Sequence, residues 1–355
     1  MGSLQILEGA LAPSIPHWTR ETGREEFDMA CFDPFGRKIE YVRLSVTDKC
    51  NLRCFYCMPE HFKDFTPPAS YLTYDELTRI IAAFAELGVF RVRLTGGEPL
   101  VRKGLAGFAK QLYDIPGIED LSLSTNGVLL EKHAEALHEA GVRRLNISFD
   151  TLRENRFRLI TRRGGSLEKV LDGLQRAKEA GFAPIKLNML VMRGVNDDEV
   201  VDVAHYCLEN GFALRFIETM PVGASGQRAT DHYIDLKEIR ARLDEHFNLV
   251  PSIMYGGGPA RYVKVEGTDV HFGFITPLSQ HFCATCNRLR LTAEGTLHLC
   301  LGNTVNFELR PHLRQGLSDD GLKELIYEAL KLKPLEHNFL EKPQDVERAM
   351  SLTGG

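Results

Sequence analysis

The sequence predicts an α/β protein, with a partial (βα)6 TIM-like barrel followed by a C-terminal α+β extension. The first observation is that predicted strands and helices alternate six times between residues 38 and 225. Such an alternation gives right-handed βαβ units and a parallel sheet. The second observation is the count itself, because six units instead of eight predict a barrel that is open on one side. The third is a change of pattern after about residue 225, where short predicted strands come in pairs.

Each element of the predicted barrel has its own signal. Residues 1–37 have no clear period and are interpreted as an extended N-terminal arm. Runs that alternate in polarity predict strands, and apolar residues that recur on one face predict helices that glycines end. Strands are predicted at Tyr41–Val46, Arg91–Thr95, Leu121–Ser124, Arg144–Phe149, Ile185–Val191 and Ala213–Ile217. Helices are predicted at Tyr74–Leu87, Lys103–Tyr113, Leu130–Ala140, Ser166–Ala180 and Asp197–Asn210.

The C-terminal region, residues 226–355, mixes helices with paired strands. A helix is predicted at Ile234–Phe247, and a β pair is predicted at Arg261–Glu266 with Val270–Ile275. Two further strands, Arg288–Thr292 and Thr296–Cys300, flank a tight turn. Two helices, near residues 307–314 and 320–331, precede a weakly patterned tail.

The composition is that of an ordinary globular protein. The 355 residues are 43% hydrophobic and 26% charged, with a formal net charge of -5. This charge argues against a protein that binds nucleic acid over its whole surface. No apolar run is long enough to span a membrane, and the N-terminus lacks the features of a secretory signal. We therefore expect a cytoplasmic protein with no nucleic-acid partner and no membrane partner.

Polar and glycine-rich residues gather at the predicted carboxyl ends of the strands. Cys50–Cys57 follow the first strand, Gly96–Pro99 the second and Thr125–Gly127 the third. Ser148 lies near the end of the fourth strand, and Met220 follows the sixth. Because barrels of this class carry their chemistry at the carboxyl ends of the strands, these residues predict the position of the site.

Three cysteines lie close together in the loop after the first strand. Cys50, Cys54 and Cys57 follow a Cys-x3-Cys-x2-Cys spacing, with Tyr56 between the last two. Three thiolates can hold a soft metal centre, whereas a structural zinc site normally takes four ligands. Three would leave one iron of a four-iron cluster open to a substrate or cofactor. The alternatives are a zinc knuckle with a distant fourth ligand and three free thiols.

This loop resembles the fingerprint of the radical S-adenosylmethionine superfamily. The resemblance implies that the methionine amine and carboxylate bind the open iron, and that electron transfer cleaves the sulfonium to a 5'-deoxyadenosyl radical. Gly96-Gly97-Glu98-Pro99 resembles the superfamily's glycine-rich motif, which contacts the methionine moiety. Glycines let the backbone approach a ligand closely, and Glu98 offers a hydrogen-bond acceptor.

A second set of cysteines in the C-terminal region consists of Cys283, Cys286 and Cys300. A Cys-x2-Cys pair is often part of a zinc knuckle, and His281 and His298 are candidates for a fourth ligand. Three thiolates beside Arg288 and Arg290 instead suggest another cluster with an open iron, facing an anionic ligand. The remaining cysteines are Cys207, interpreted as a buried helix residue, and Cys31, which is left unassigned.

The stretch Phe282–Arg290, together with Leu297–Cys300, resembles the GTP 3',8-cyclase family of molybdenum-cofactor biosynthesis. The resemblance covers about residues 38–305 and returns at Gly354-Gly355. It implies a lyase that uses S-adenosylmethionine and two [4Fe-4S] clusters, the second of them in the C-terminal extension. The implied product is (8S)-3',8-cyclo-7,8-dihydroguanosine 5'-triphosphate. The 5'-deoxyadenosyl radical takes hydrogen from C3' of the GTP ribose, and the ribosyl radical attacks C8 of guanine.

The resemblance also implies a role for individual residues. The first cysteine set makes the radical, and the open iron of the second set binds the purine. S-adenosylmethionine is expected at Tyr56, Gly97, Glu98, Ser148 and Met220. GTP is expected at Arg43, Arg93, Ser124, Lys186, Arg288, Leu289 and Arg290. Ser124 stands where a threonine is expected and keeps the hydroxyl. No protein residue is assigned as catalytic, because the cofactor performs the radical chemistry.

The charge of the predicted strands fits a triphosphate. Arg43, Arg93 and Lys186 lie within three separate strands, where a charged side chain must face solvent or the barrel interior. Arginine and lysine are the usual partners of phosphate oxygens. Each alone is more simply an exposed or ion-paired side chain. Three on separate strands favour a ligand, because a barrel lined with cations is costly unless it holds an anion.

Further partners follow from the same resemblance. They are GTP, a flavodoxin- or ferredoxin-like electron donor and a downstream cyclic pyranopterin monophosphate synthase, with the chain as a monomer or homodimer. The terminal Gly354-Gly355 is expected to reach the active site. The competing interpretations are a peptide-modifying maturase with an auxiliary cluster, which does not explain Arg288 and Arg290, and a non-enzymatic zinc-binding interaction protein.

Overall fold

The structure is a computed structural model that describes residues 31–163 and 165–354. Most of the predicted N-terminal arm and the terminal Gly355 lie outside these residues. Within the described part of the chain, no helix combines the length and the apolar character that crossing a bilayer requires.

The six predicted barrel strands are confirmed, and neighbouring strands run parallel in sequence order. They are β1 Tyr41–Ser45, β2 Arg91–Thr95, β3 Asp120–Thr125, β4 Arg144–Ser148, β5 Ile185–Leu190 and β6 Ala213–Ile217. The C-terminal strands are β7 Leu249–Ser252, β8 Arg261–Val265, β9 His271–Ile275, β10 Arg288–Leu291, β11 Thr296–His298 and β12 Asn306–Glu308.

The helices cover the outside of the sheet and are generally shorter than predicted. In the barrel they are α1 Tyr74–Glu86, α2 Leu105–Tyr113, α3 Ala134–Glu139, α4 Glu154–Thr161, α5 Leu167–Glu179 and α6 Val200–Asn210. After it come α7 Gly223–Ala229, α8 Leu236–Asp244, α9 Arg310–Arg314, α10 Asp319–Leu330 and α11 Met350–Thr353. The predicted helix at 130–140 is divided into a 3-10 turn, Leu130–Lys132, and α3.

Some short elements were not predicted, and each has a weak signal. Helix α4 is rich in charged residues and buries only Phe157, Ile160 and Thr161. Strand β7 contains Pro251, which a central strand would not tolerate, and it lies at the edge of the sheet. Strand β12, at the opposite edge, has three residues and little apolar character.

The sheet continues past the six barrel strands at both sides. The order is β12-β11-β10-β1-β2-β3-β4-β5-β6-β9-β8-β7. Strand β10 pairs parallel to β1, and β9 pairs parallel to β6. Strands β9 and β10 are consecutive in the chain, and within the described residues no ladder joins them. The predicted opening therefore lies between β9 and β10, and the segment that links them, 276–287, contains Cys283 and Cys286. The predicted domain boundary near residue 225 stays an interpretation.

The two faces of the parallel strands differ in polarity, and the polar face is the inner one. Residues such as Val42, Leu94 and Ile147 are fully buried and belong to the apolar core. The alternate positions are polar, and Arg43 and Arg93 line an internal cavity. Successive strand residues point to opposite faces, so the apolar face packs outward and the polar face points into the barrel.

The glycine-rich loop is packed directly against the first cysteine loop. The backbone N–H of Gly97 donates to Thr47 O at 2.7 Å, and that of Glu98 donates to Lys49 O at 2.8 Å. A Cβ atom on Gly97 would lie 2.4 Å from both Asp48 O and Lys49 O. The close approach that these glycines permit is therefore first of all an approach between two loops, and it fixes the position of the cysteines.

We predict that Gly97→Ala disrupts this contact and prevents the first cysteine set from holding iron. The free energy of unfolding should fall by about 3 kcal/mol or more, because the new Cβ meets backbone atoms that cannot move independently. Denaturant unfolding and the iron content of anaerobically reconstituted protein measure the two effects. Gly107→Ala is the matched control, since the Cβ at this α2 position has no atom within 4 Å. Equal stability and iron content in the two variants would contradict the prediction.

Candidate active site

One internal cavity brings the two cysteine sets together. It has a volume of about 330 Å³, which lies in the range of ligand sites. All six cysteines of the two sets line it, as do Tyr56, Gly97, Ser148, Met220, Arg43, Arg93, Ser124, Arg288 and Arg290. Most of the residues that the sequence analysis assigned to S-adenosylmethionine and GTP therefore share one space.

The first cysteine set provides a suitable environment for a metal cluster. Cys50 Sγ accepts from the backbone N–H of Leu52 at 3.4 Å and from Asn126 Nδ2 at 3.8 Å. Burial raises the pKa of Cys50 to about 11 and that of Cys57 to about 12, and it raises the pKa of Cys54 well above its usual value. Such thiols ionise readily only when a metal stabilises the thiolates, and N–H···S bonds are usual around iron–sulphur clusters. The residues therefore fit a cluster.

The half-buried carboxyl group of Asp150, beside the first cysteine set, was not predicted. The hydroxyl of Tyr56 donates to Asp150 Oδ2 at 2.8 Å, and the backbone N–H of Leu190 donates to Asp150 Oδ1 at 2.9 Å. Burial raises the pKa of Asp150 to about 6. Its position two residues after β4, beside the predicted Ser148, was the available sequence signal.

The second cysteine set lies at the opposite end of the barrel. Cys286 precedes β10, which runs parallel to β1, so it lies towards the amino ends of the parallel strands. Cys300 follows β11, which runs antiparallel to β10, and therefore lies at the same end. Burial acts to raise the pKa of Cys286, but the positive charges of Arg288 and Lys333 together lower it to about 7. It is the one cysteine of the eight whose pKa is lowered.

Between the two cysteine sets the interior carries a row of cations. Arg290, Arg43 and Arg93 are direct neighbours on β10, β1 and β2. Burial lowers the pKa of Arg43 to about 10 and that of Arg93 to about 10, and it lowers the pKa of Arg290 strongly, with the neighbouring arginines adding to the effect on Arg290. Buried cations that depress each other's pKa have too few anions around them. The interior is therefore prepared for an anionic ligand.

A polar cluster on β4, β5 and β6 extends this row and was not predicted. Arg215 Nε donates to Asn188 Oδ1 at 2.7 Å, and Arg215 NH2 donates to Asn146 Oδ1 at 2.5 Å. All three side chains line the cavity. The two amides hold the guanidinium in place without neutralising it. Polar residues at alternate positions of otherwise apolar strands were the signal that could have identified them.

The C-terminal tail enters the same interior. Arg290 NH1 donates to Thr353 O at 3.1 Å and also to Gly354 O. Met350 and Ser351 line the cavity, and the backbone N–H of Ser351 lies near the Cys57 thiol. A Cβ on Gly354 would lie 2.3 Å from Thr95, so the tail is in close contact with the end of β2.

Four described residues with predicted ligand roles are not part of the cavity wall, namely Glu98, Lys186, Leu289 and Gly354. Glu98 is fully buried, and its carboxylate accepts from Thr125 Oγ1 at 2.8 Å and from the backbone N–H of Asn126 at 2.7 Å. Leu289 packs in the apolar core, so only its backbone could contact a ligand.

Lys186 lies inside the barrel behind the loop that contains Tyr255. Its Nζ donates to Tyr255 O at 3.4 Å, and the side chain is almost completely buried. Burial, followed by the charges of Arg215, Arg144 and Arg93, lowers the pKa of Lys186 to about 7. It therefore experiences the same excess of positive charge as the residues of the cavity wall.

His281 and His298 were the candidates for a fourth ligand if the second cysteine set bound zinc. His281, Cys283 and His337 have ligand atoms within 4.8 Å of one another. His298 instead lines the cavity, where burial, then Arg348 and Arg290, lower its pKa to about 3. Of the two candidates, only His281 therefore lies in this group.

Comparison with known proteins identifies the family. Residues 44–207 match the model of the radical SAM superfamily, and residues 212–339 match that of Molybdenum Cofactor Synthesis C. The GTP 3',8-cyclase of Hydrogenovibrio crunogenus is 49% identical over 334 residues, which are 92% of this chain and 100% of the relative. That of Rhizobium etli is 46% identical and covers 91% of this chain and 94% of the relative.

A solved structure is similar at a lower level. Coproporphyrinogen III oxidase from Escherichia coli is 15% identical, with a TM-score of 0.46, and covers 77% of this chain and 64% of that one. The assignment depends on the sequence relatives, which are 41% to 49% identical in the examples from Petrotoga mobilis and Hydrogenovibrio crunogenus. These relatives are all named GTP 3',8-cyclases, which favours the cyclase interpretation over the peptide-modifying maturase and the zinc-binding interaction protein. The chain belongs to the GTP 3',8-cyclase family of the radical S-adenosylmethionine superfamily.

Proposed function

We propose that this protein is a lyase that converts GTP into (8S)-3',8-cyclo-7,8-dihydroguanosine 5'-triphosphate. The observation that carries the proposal is the row of cations in the barrel interior, between two sets of three cysteines. A triphosphate would neutralise the charges of Arg43 and Arg93, and the base would lie near Arg290. Arginine forks are well suited to phosphate oxygens.

The first cysteine set, with Cys50, Cys54 and Cys57, would hold the cluster that binds S-adenosylmethionine. When both are bound and the cluster is reduced, the cluster and S-adenosylmethionine together supply the 5'-deoxyadenosyl radical. The protein around this cluster holds the ligand groups in place. The Gly97 backbone fixes the cysteine loop, and Asp150 orients the Tyr56 hydroxyl. Ser148 and Met220 line the same part of the cavity. Glu98 would act indirectly, because its oxygens are occupied by the loop after β3.

The second cysteine set would hold a second [4Fe-4S] cluster whose open iron binds the purine. We place the triphosphate along Arg43, Arg93 and Lys186, and the base near Arg288 and Arg290. Ser124 lines the cavity and offers a hydroxyl. The low pKa of Cys286 supports a metal-binding thiolate at this end of the barrel. The hydrogen lost from C3' leaves with 5'-deoxyadenosine, so one further electron and one proton at N7 of the base complete the 7,8-dihydro product.

Other features remain predictions. They are a flavodoxin- or ferredoxin-like electron donor, a downstream cyclic pyranopterin monophosphate synthase, a cytoplasmic location and a monomeric or homodimeric state. The chemistry requires an electron for the first cluster, so a protein donor of low potential is expected.

The activity is tested with anaerobically reconstituted protein, GTP, S-adenosylmethionine and a strong reductant. We expect 5'-deoxyadenosine together with an isomer of GTP, both detected by mass spectrometry, and iron equivalent to two clusters. Cofactor cleavage without a GTP isomer would reject the substrate. Zinc in place of iron at Cys283, Cys286 and Cys300 would reject the second cluster.

The second prediction concerns proton uptake when GTP binds. Burial and the neighbouring arginines lower the pKa of Lys186 to about 7, and a bound triphosphate must raise it. Below pH 7 both states carry the proton, so this group does not change the affinity. Above pH 7 the free enzyme has lost the proton and must take it up again, so GTP affinity falls by up to about tenfold per pH unit until the pKa of the complex is reached.

Calorimetry at pH 8 in two buffers of different ionisation enthalpy measures this uptake, expected to approach one proton per GTP. Lys186→Met should abolish most of it and weaken binding. Lys264→Met is the matched control, because Lys264 lies on β8 and forms an ion pair with the exposed Asp269. Unchanged uptake in Lys186→Met would show that another group titrates.

The third prediction concerns the tail. Deletion of Gly354-Gly355 should abolish formation of the GTP isomer, because Arg290 loses the Gly354 carbonyl that orients it between the cysteine sets. Both clusters should remain, since Thr353 and the preceding residues still pack in the barrel. Iron content and reductive cleavage of S-adenosylmethionine without GTP are the internal controls. Normal turnover after the deletion would contradict this role.

A further inference from the structure

A buried lysine lies beside the second cysteine set. Lys333 follows the end of α10, and its side chain is only 3% exposed. Its Nζ donates to Leu299 O at 2.6 Å and to Arg288 O at 3.2 Å, and lies 4.0 Å from Cys286 Sγ. An ammonium group has three protons, and these three partners match them. Lys333 therefore links the residue before Cys300 with the first residue of β10, two residues after Cys286.

The charge of Lys333 is not neutralised by a carboxylate. Within the described part of the chain no acidic side chain forms an ion pair with it. Asp33 is the acidic residue whose charge affects the pKa of Lys333, and it is itself paired with Arg37 at 2.5 Å. Carbonyl oxygens satisfy hydrogen bonds but do not cancel a charge. A buried ammonium without an anion is costly. The Cys286 sulfur is the group in contact with Lys333 that can carry the opposite charge.

Two arginines nearby have a different relation to the same cysteine set. Arg37 NH1 donates to Cys283 O at 2.8 Å, and Arg348 NH2 donates to Cys300 O at 3.1 Å. Both act on backbone carbonyls and so hold the loops. Arg37 is also neutralised by Asp33. Arg288 NH2 also donates to Cys286 Sγ, at 3.9 Å, but its side chain lines the cavity. Lys333 differs from all three arginines because it is not part of the cavity wall, is buried, is directed at a sulfur ligand and has no carboxylate partner among the described residues.

We propose that Lys333 is a positioning residue that tunes the second cluster, holding Cys286 as a ligand and stabilising the more negative, reduced state of the cluster. This inference rests on the proposed function, since it requires a second cluster. A cluster bound by three thiolates is an anion and gains another negative charge on reduction. A fixed positive charge at a ligand sulfur therefore favours the reduced form, and removing the charge lowers the reduction potential.

The test uses the full-length chain with the substitutions Cys50→Ala, Cys54→Ala and Cys57→Ala, so that only the second cluster contributes a signal. In this background Lys333→Met removes the charge and keeps the length of the side chain. A redox titration followed by electron paramagnetic resonance should show that the ratio of reduced to oxidised cluster at a fixed potential falls at least tenfold. For one electron this corresponds to a shift of about 59 mV to lower potential.

Lys333→Arg, which keeps the charge, should retain a ratio close to that of the background protein. Lys331→Met is the matched control, since Lys331 is exposed and pairs with Glu328. A Lys333→Met cluster with an unchanged potential overturns the proposal. If Lys333→Met loses the cluster and Lys333→Arg keeps it, the requirement for charge is supported. Loss in both variants overturns it, because the carbonyl bonds alone would then explain the residue.

The failure of this inference can be distinguished from failure of the proposed function. If the triple-alanine background takes up no iron and sulfide at all, there is no second cluster, and the proposed function fails at that point. If it takes up a cluster whose potential does not depend on Lys333, the proposed function stands and only the role of Lys333 is rejected.

Discussion

The constraint on which the structure depends is an excess of buried positive charge inside the barrel. Arg290, Arg43 and Arg93 occupy neighbouring strands, where the charge of Arg43 adds to the lowering of the pKa of Arg290 and the charge of Arg93 adds to the lowering of the pKa of Arg43. Lys186 and Arg215 continue the row. An interior of this kind is unfavourable by itself and becomes favourable when an anion enters. The apolar face of each strand therefore points outward to the helices and provides the stability that the inner face does not.

The C-terminal region completes this arrangement instead of forming a separate layer. Strand β10 extends the barrel sheet beside β1 and β9 extends it beside β6, and the segment between these two strands places Cys283 and Cys286 at the end opposite to Cys50. The tail then contacts Arg290 from within. One anionic ligand could thus be held between two metal centres while the backbone of the tail limits its position.

Much of this could be predicted from the sequence, because alternation, cysteine spacing and glycine loops are local signals. The six barrel strands and the two cysteine sets follow from them. The pairing of β10 with β1 could not be predicted, since it joins distant parts of the chain by backbone hydrogen bonds that no side-chain pattern specifies. Asp150, Arg215 and Lys333 were missed for a related reason. Their importance comes from their position in the barrel interior and from the lack of an oppositely charged side chain paired with them among the described residues, which only the assembled barrel reveals.

The two cysteine sets also differ in the length of chain that each must bring together. Cys50, Cys54 and Cys57 lie within one short loop, which needs little ordering before it can bind iron. The other set requires β10 to find β1, and Arg37 to reach the carbonyl of Cys283 from the far end of the described chain. Closing such a long loop costs entropy and slows folding. We therefore expect the two cysteine sets to take up iron one after the other. The first set is formed early in folding, and the second is formed only in the finished barrel.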